Sequence, residues 1–164
     1  MSEQERKHYV ELHRQLHKQS PLHFAGKSVR NYITQIDLSM VEHKCKTILD
    51  YGCGKAKFWP DHWQGKIQGY DPAYEKFSAE PAPADLVVCC DVMEHIPESE
   101  IKNILSDINR LANNWTFFVI DTKRAKKKFL DNSNCHVTVQ TPEWWQDKLD
   151  QFCPRHTVHY QLPK

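Results

Sequence analysis

One run of residues, Thr47-Ile48-Leu49-Asp50-Tyr51-Gly52-Cys53-Gly54-Lys55-Ala56, constrains this chain more than any other. It reads as a short apolar strand that ends on a carboxylate and enters a tight turn. Gly52 and Gly54 lack a Cβ, so the turn can bend sharply and a ligand can approach its backbone. A strand, a glycine turn and a helix start together are how doubly wound α/β folds hold a nucleotide-like cofactor.

The rest of the chain supports such a fold. Apolar strands are expected at Thr47–Asp50, Lys66–Tyr70, Asp85–Cys90, Trp115–Ile120 and Thr157–Gln161. Helical spacing at Ile101, Ile104, Leu105, Ile108 and Leu111 predicts a helix over Glu98–Ala112, started by Pro97. Thr141-Pro142-Glu143 caps a last helix that carries Trp144, Trp145 and Leu149. Strands alternating with helices predict a mostly parallel sheet covered on both faces. The linker Ser78–Ala84, with Pro81 and Pro83, is too short for a helix and strand, so the third strand is expected to be shortened. Before Thr47 there are only helical patterns. One runs from Glu3 to Lys18; a second, capped by Ser28, carries Val29, Tyr32, Ile33, Ile36 and Met40 on one face. The chain of 164 residues is expected to form one domain, residues 1–46 being a helical cap on an α/β core over 47–164.

Composition narrows the function. Hydrophobic residues make up 40%, charged residues 26% and the net charge is +1, so no global field draws the chain to nucleic acid or membrane. No apolar run is long enough to span a bilayer, and the polar opening Ser2-Glu3-Gln4-Glu5-Arg6-Lys7 is unlike a secretory signal. The six cysteines form no CxxC pair, which favours reduced thiols and a cytoplasmic setting.

Asp71, at the tip of the second strand, follows Asp50 by 21 positions (71 − 50). A carboxylate there can accept from both hydroxyls of a ribose. A dinucleotide would want glycine at position 57 to seat its pyrophosphate; the residue is Lys57. An NAD-dependent oxidoreductase is therefore disfavoured. A cofactor with a ribose, no pyrophosphate and an amino group for Asp50 fits better. Without further motifs, the glycines have a minority reading as a simple tight turn and Asp71-Pro72 as an ordinary turn former.

Three segments in order, Ile48–Ala56, Gln68–Pro72 and Ala84–Pro97, resemble the class I S-adenosylmethionine-dependent methyltransferases. The resemblance covers about Thr47 to Ile120. It implies a Rossmann-like fold and places the cofactor against Asp50, Tyr51, Gly52, Cys53, Gly54, Asp71, Pro72, Cys90, Asp91 and Val92. This sequence departs in having Ala56 at a common third glycine, a third strand reduced to almost nothing, and no final hairpin strand. The last two departures leave room for a catalytically silent cofactor-binding subunit.

Asp91, Glu94 and His95 follow a buried strand, at the sheet end where such folds place chemistry. Glu94 or His95 could serve as general base, the group could bind a divalent metal, or it could be structural. With His136, the pattern is similar to metal-dependent O-methyltransferases, including small-RNA 2′-O-methyltransferases and ubiquinone-pathway enzymes. That likeness implies Asp91, Glu94, His95 and His136 as metal ligands and a nucleotide or RNA acceptor; otherwise the acceptor is an unidentified small molecule. The basic run Lys123-Arg124-Ala125-Lys126-Lys127-Lys128 reads as solvated surface or as a contact for a phosphate-bearing acceptor. His13 and His17 have helical metal spacing, but no third ligand is nearby, so the pair is expected on a solvated helix face.

Overall fold

The computed structural model describes residues 3–163, with side chains from Lys7 onward. Ser2, part of the polar opening, lies outside the described residues. Five parallel strands form one sheet: β1 (Ile48–Tyr51), β2 (Ile67–Tyr70), β3 (Ala84–Cys90), β4 (Ala112–Asp121) and β5 (His156–Gln161), in the order β2-β1-β3-β4-β5. The sheet is thus wholly parallel. The five expected strands are all present, their ends displaced by up to three residues.

Period-two alternation sorts the strand side chains onto two faces. Ile48, Leu86, Val88, Phe117 and Val119 face one layer; Leu49, Val87, Cys89, Phe118 and Ile120 face the other. Both faces are apolar, which is why these strands read as continuous hydrophobic runs. The second face packs α4 (Glu98–Leu111) through Ile101, Leu105 and Ile108, and α5 (Pro142–Phe152) through Trp145 and Leu149. Thr141 caps α5 by accepting from the Trp144 N–H.

The first face is covered differently from expectation. No α-helix follows the glycine turn; the only helical residues between β1 and β2 form a single 3-10 turn, Asp61–Trp63. Instead, the N-terminal helices α2 (Lys27–Arg30) and α3 (Ile33–Glu42) lie on that face, with Val29 and Ile36 buried beside Trp63. The Trp63 indole donates to Asp37 of α3 at 2.7 Å. The expected single helix from Ser28 to Met40 is broken at Asn31–Tyr32, and Gly26 rather than Ser28 is its N-cap residue. The first expected helix is α1 (Glu3–Gln19). Its Leu12 and Leu16 pack on Phe129 and Cys135 of the long segment between β4 and α5.

Between β2 and β3 the described chain holds only the 3-10 turn Glu75–Phe77, so the extra strand expected there in shortened form is absent and β2 is an edge. β5 is the opposite edge, and among the described residues no antiparallel hairpin strand lies beside it. All six cysteines are free and buried. Among the described residues, no helix is long and apolar enough to cross a membrane.

Candidate functional site

The strand order reverses between β1 and β3, and in such sheets ligands bind beyond the carboxyl ends at that point. Here a cavity of about 930 Å³ opens between those ends. It is lined by every residue singled out for cofactor, catalysis or metal, from Asp50–Gly54 through Asp71 and Pro72 to Cys90–Val92, Glu94, His95 and His136. Its size suits a nucleoside-sized ligand with room for a second.

The glycine turn forms one end of the cavity. Gly52 and Gly54 hold φ of 79° and 57°, in the left-handed region. A Cβ on Gly52 would lie 2.3 Å from Val92 Cγ2, and one on Gly54 would lie 2.1 Å from the Phe24 carbonyl oxygen. The backbone N–H groups of the turn are all engaged. Gly52 and Cys53 donate to the Tyr70 carbonyl, Lys55 to Phe24, Ala56 to Cys53 and Lys57 to Ala25. Gly54 donates to Asp71 Oδ2 at 3.0 Å. No amide is left to cradle a pyrophosphate, so the geometry disfavours a dinucleotide on grounds separate from Lys57. Lys55 Nζ adds bonds to the carbonyls of His17, Ser20 and His23, fastening the cap to the turn.

Asp71 is shaped by the same contacts. Oδ1 accepts from the Ala73 N–H at 2.8 Å and Oδ2 from Gly54, leaving each oxygen a second lone pair. His17 Nε2 stands 3.7 Å from Oδ2. Asp50 lies beneath the turn and accepts from the Trp59 indole at 2.7 Å. Burial pushes its carboxyl up to about 7; the Trp59 bond works against this and the Asp71 charge adds to it. The Tyr51 hydroxyl donates to Asp107, another residue of the cavity wall, at 3.2 Å. Cys53 is buried, its Sγ close beside Gly69.

The other end is built from side chains. After β3 the chain turns at Asp91, with φ of 53°, into a 3-10 turn, Met93–His95. Glu94 is 0% exposed, and neither carboxylate oxygen has a hydrogen-bond partner. Burial, then the Asp91 charge, raise its carboxyl well above the usual range, while the backbone N–H groups of Glu94 and Asp121 stand close enough to oppose that rise without making well-formed hydrogen bonds. The His95 Nδ1–H donates to the Cys135 carbonyl at 2.8 Å, and the His136 Nδ1–H donates to the Lys123 carbonyl at 2.6 Å. Each bond leaves an Nε2 lone pair inside the site. Burial, reinforced by neighbouring His13 and His136, holds His95 well below the usual imidazole range. One ligand atom each from Glu94, His95 and His136 fall within 4.8 Å of one another.

Asp91, expected among the metal ligands, is not brought into this group. Its Oδ2 accepts a short hydrogen bond from Ser28 Oγ and its Oδ1 accepts from Gln161 Nε2 at 2.8 Å. Ser28 therefore ties the cap to β3 instead of capping a helix. Burial raises the Asp91 carboxyl, and the Ser28 and Gln161 bonds oppose that rise.

A family model described as a methyltransferase domain matches residues 5–161. The chain belongs to the methyltransferase domain family. This methyltransferase is an S-adenosylmethionine-dependent enzyme with the Rossmann-like fold of its family. No curated protein and no solved structure matches it.

Several groups at the methyltransferase site were not singled out from the sequence. Trp59 against Asp50, Gln161 against Asp91 and Lys55 on the cap carry no local pattern that marks them. His13 and His17 did carry one. Their spacing placed both on one face of α1, expected to be solvated; instead His17 is buried and both line the cavity.

Proposed function

We propose that this methyltransferase moves the methyl group of S-adenosylmethionine to a hydroxyl of a phosphate-bearing acceptor, a nucleotide or RNA end, with a divalent cation held by Glu94, His95 and His136. One observation carries the reading: a fully buried carboxylate with both oxygens unpaired sits beside two imidazoles whose Nδ1–H groups are tied to backbone carbonyls. A buried acid without partners costs free energy unless a positive group meets it. Metal-bound histidines characteristically donate their other nitrogen to a carbonyl or carboxylate. Two imidazoles and one carboxylate suit Mn²⁺, Co²⁺ or Zn²⁺ better than Mg²⁺, which favours oxygen ligands.

The residues divide the work by position. Asp71 accepts from the cofactor's ribose hydroxyls and Asp50 from its amino group. Gly52 and Gly54 let the methionine moiety lie close to the turn. Cys90, Asp91 and Val92 border the methyl group. Displacement at a sulfonium needs little covalent help, so alignment of the acceptor oxygen dominates. The cation, when bound, would polarise the acceptor hydroxyl. His95 keeps an Nε2 lone pair suited to a cation or to a departing proton. Lys123, Arg124, Lys126 and Lys127 line the rim, where phosphates of an acceptor would dock.

The test is a transfer assay with labelled cofactor on short RNA and on its terminally 2′-deoxy counterpart, with chelator and with added Mn²⁺. The expected result is Mn²⁺-dependent labelling of the RNA alone, weakened by salt. Equal labelling in chelator would remove the cation from the reading, and equal labelling of the deoxy substrate would remove the hydroxyl.

A further inference from the structure

The cap reaches into the same site. His13 stands on α1, far from Glu94 and His95 in sequence, yet its ring centroid lies 5.5 Å from that of His95, edge to face. Phe24 and Phe129 flank it at 5.7 Å and 4.9 Å. The His13 Nδ1–H donates to the Tyr9 carbonyl one helical turn back at 2.8 Å. That bond fixes the tautomer and leaves the lone pair on Nε2, as at His95 and His136. Nε2 is sealed from solvent and has no hydrogen-bond partner. A polar atom buried without a partner calls for an explanation. His95 and His136 make the same Nδ1–carbonyl bond and share a 4.8 Å group with Glu94; His13 Nε2 lies outside that group, so it would have to be drawn in on cation binding.

We propose that His13 Nε2 is the fourth protein ligand of the cation site, so that cation binding draws α1 onto the core. The inference rests on the reading of Glu94, His95 and His136 as cation ligands. Three of the four donors would come from the core and one from the cap. Three imidazoles and one carboxylate favour a borderline cation such as Zn²⁺ or Co²⁺. The adjoining cap contacts, Leu12 and Leu16 on Phe129 and Cys135, form a small apolar cluster separate from those on the sheet faces. A ligand bond from the same helix would stiffen that cluster, because metal binding and local order are linked.

Cobalt(II) alone is the probe, since its visible absorption reports coordination number. Wild type, His13→Ala, His13→Phe and His136→Ala are titrated with Co²⁺, and amide exchange over α1 is followed with and without the ion. His13→Phe keeps a ring between Phe24 and Phe129, so it separates ligand loss from packing loss. The expected result is one Co²⁺ per chain in wild type, roughly tenfold or greater weakening in both His13 variants, an altered spectrum, and cation-dependent slowing of α1 exchange in wild type alone. Wild-type affinity, spectrum and α1 protection in both His13 variants would overturn the proposal and leave the core site standing. No Co²⁺ uptake by wild type, or unchanged affinity in His136→Ala, would overturn the underlying cation reading and this proposal with it.

Discussion

The two ends of the cavity are made of different material. At the end proposed for the cofactor, backbone does most of the holding: six consecutive amides, Gly52 to Lys57, are engaged, and two glycines pack where a methyl group would collide. At the end proposed for the acceptor, side chains from α1, the 3-10 turn after β3 and the segment before α5 converge, and the buried polar atoms of His13 and Glu94 are left unsatisfied. The cofactor end is therefore finished before a ligand arrives. The acceptor end carries an unmet electrostatic demand. Substitutions at one end should act on stability and cofactor affinity; those at the other should act on cation response.

The largest effect should come from Gly54→Ala. The added methyl group meets backbone rather than a movable side chain, at a left-handed φ. The turn must shift, and with it the Phe24 and Asp71 contacts. Urea denaturation should show a loss of about 3 kcal/mol or more, together with loss of cofactor binding. A variant as stable as wild type would show that the turn is looser than the packing requires.

Glu94→Gln should do the opposite kind of damage. Without cation, the raised Glu94 carboxyl favours the folded state only while protonated, so its contribution to wild-type stability falls as pH rises above the ordinary carboxylate range. Thermal melts of Glu94→Gln in chelator should show a shallower fall from pH 5 to 8. A divalent ion at a hundred times its dissociation constant should stabilise wild type by about 2.7 kcal/mol. Glu94→Gln should lose that gain while keeping its affinity for S-adenosylhomocysteine. Loss of cofactor affinity in this variant would dissolve the division between the two ends.

A smaller effect concerns Asp50. Its carboxyl sits near 7 in the folded protein, and a bound amino group favours the ionised form. Affinity for S-adenosylhomocysteine should therefore rise with pH up to about 7 and then level, by roughly tenfold overall. Asp50→Asn should flatten that profile. An equally steep profile in the variant would move the titrating group elsewhere.

The same contrast explains what could be read from the residues alone. The glycine turn, the strands and the Asp71 tip are local patterns, each written within a few consecutive residues. The helix expected after the turn did not form. Trp59 and Trp63 instead anchor that stretch to Asp50 and Asp37, while α2 and α3 cover the vacant face. Ser28 looked like a helix cap because its local context fits one; its hydroxyl donates to Asp91, a partner visible only after folding. That bond, with Gln161, also removes Asp91 from the ligand group suggested by its spacing to Glu94 and His95. His13 showed its helical spacing, but His95 and Phe129 beside it are distant in sequence.

The account rests most directly on Asp71 holding the cofactor's ribose beside the glycine turn. Calorimetric titration of S-adenosylhomocysteine into chelator-treated wild type and Asp71→Ala tests it. The account predicts one site per chain in wild type and a loss of roughly tenfold to a hundredfold in the variant, as expected for a hydrogen-bonded charge. No heat with wild type, or an unchanged dissociation constant in Asp71→Ala, would contradict it.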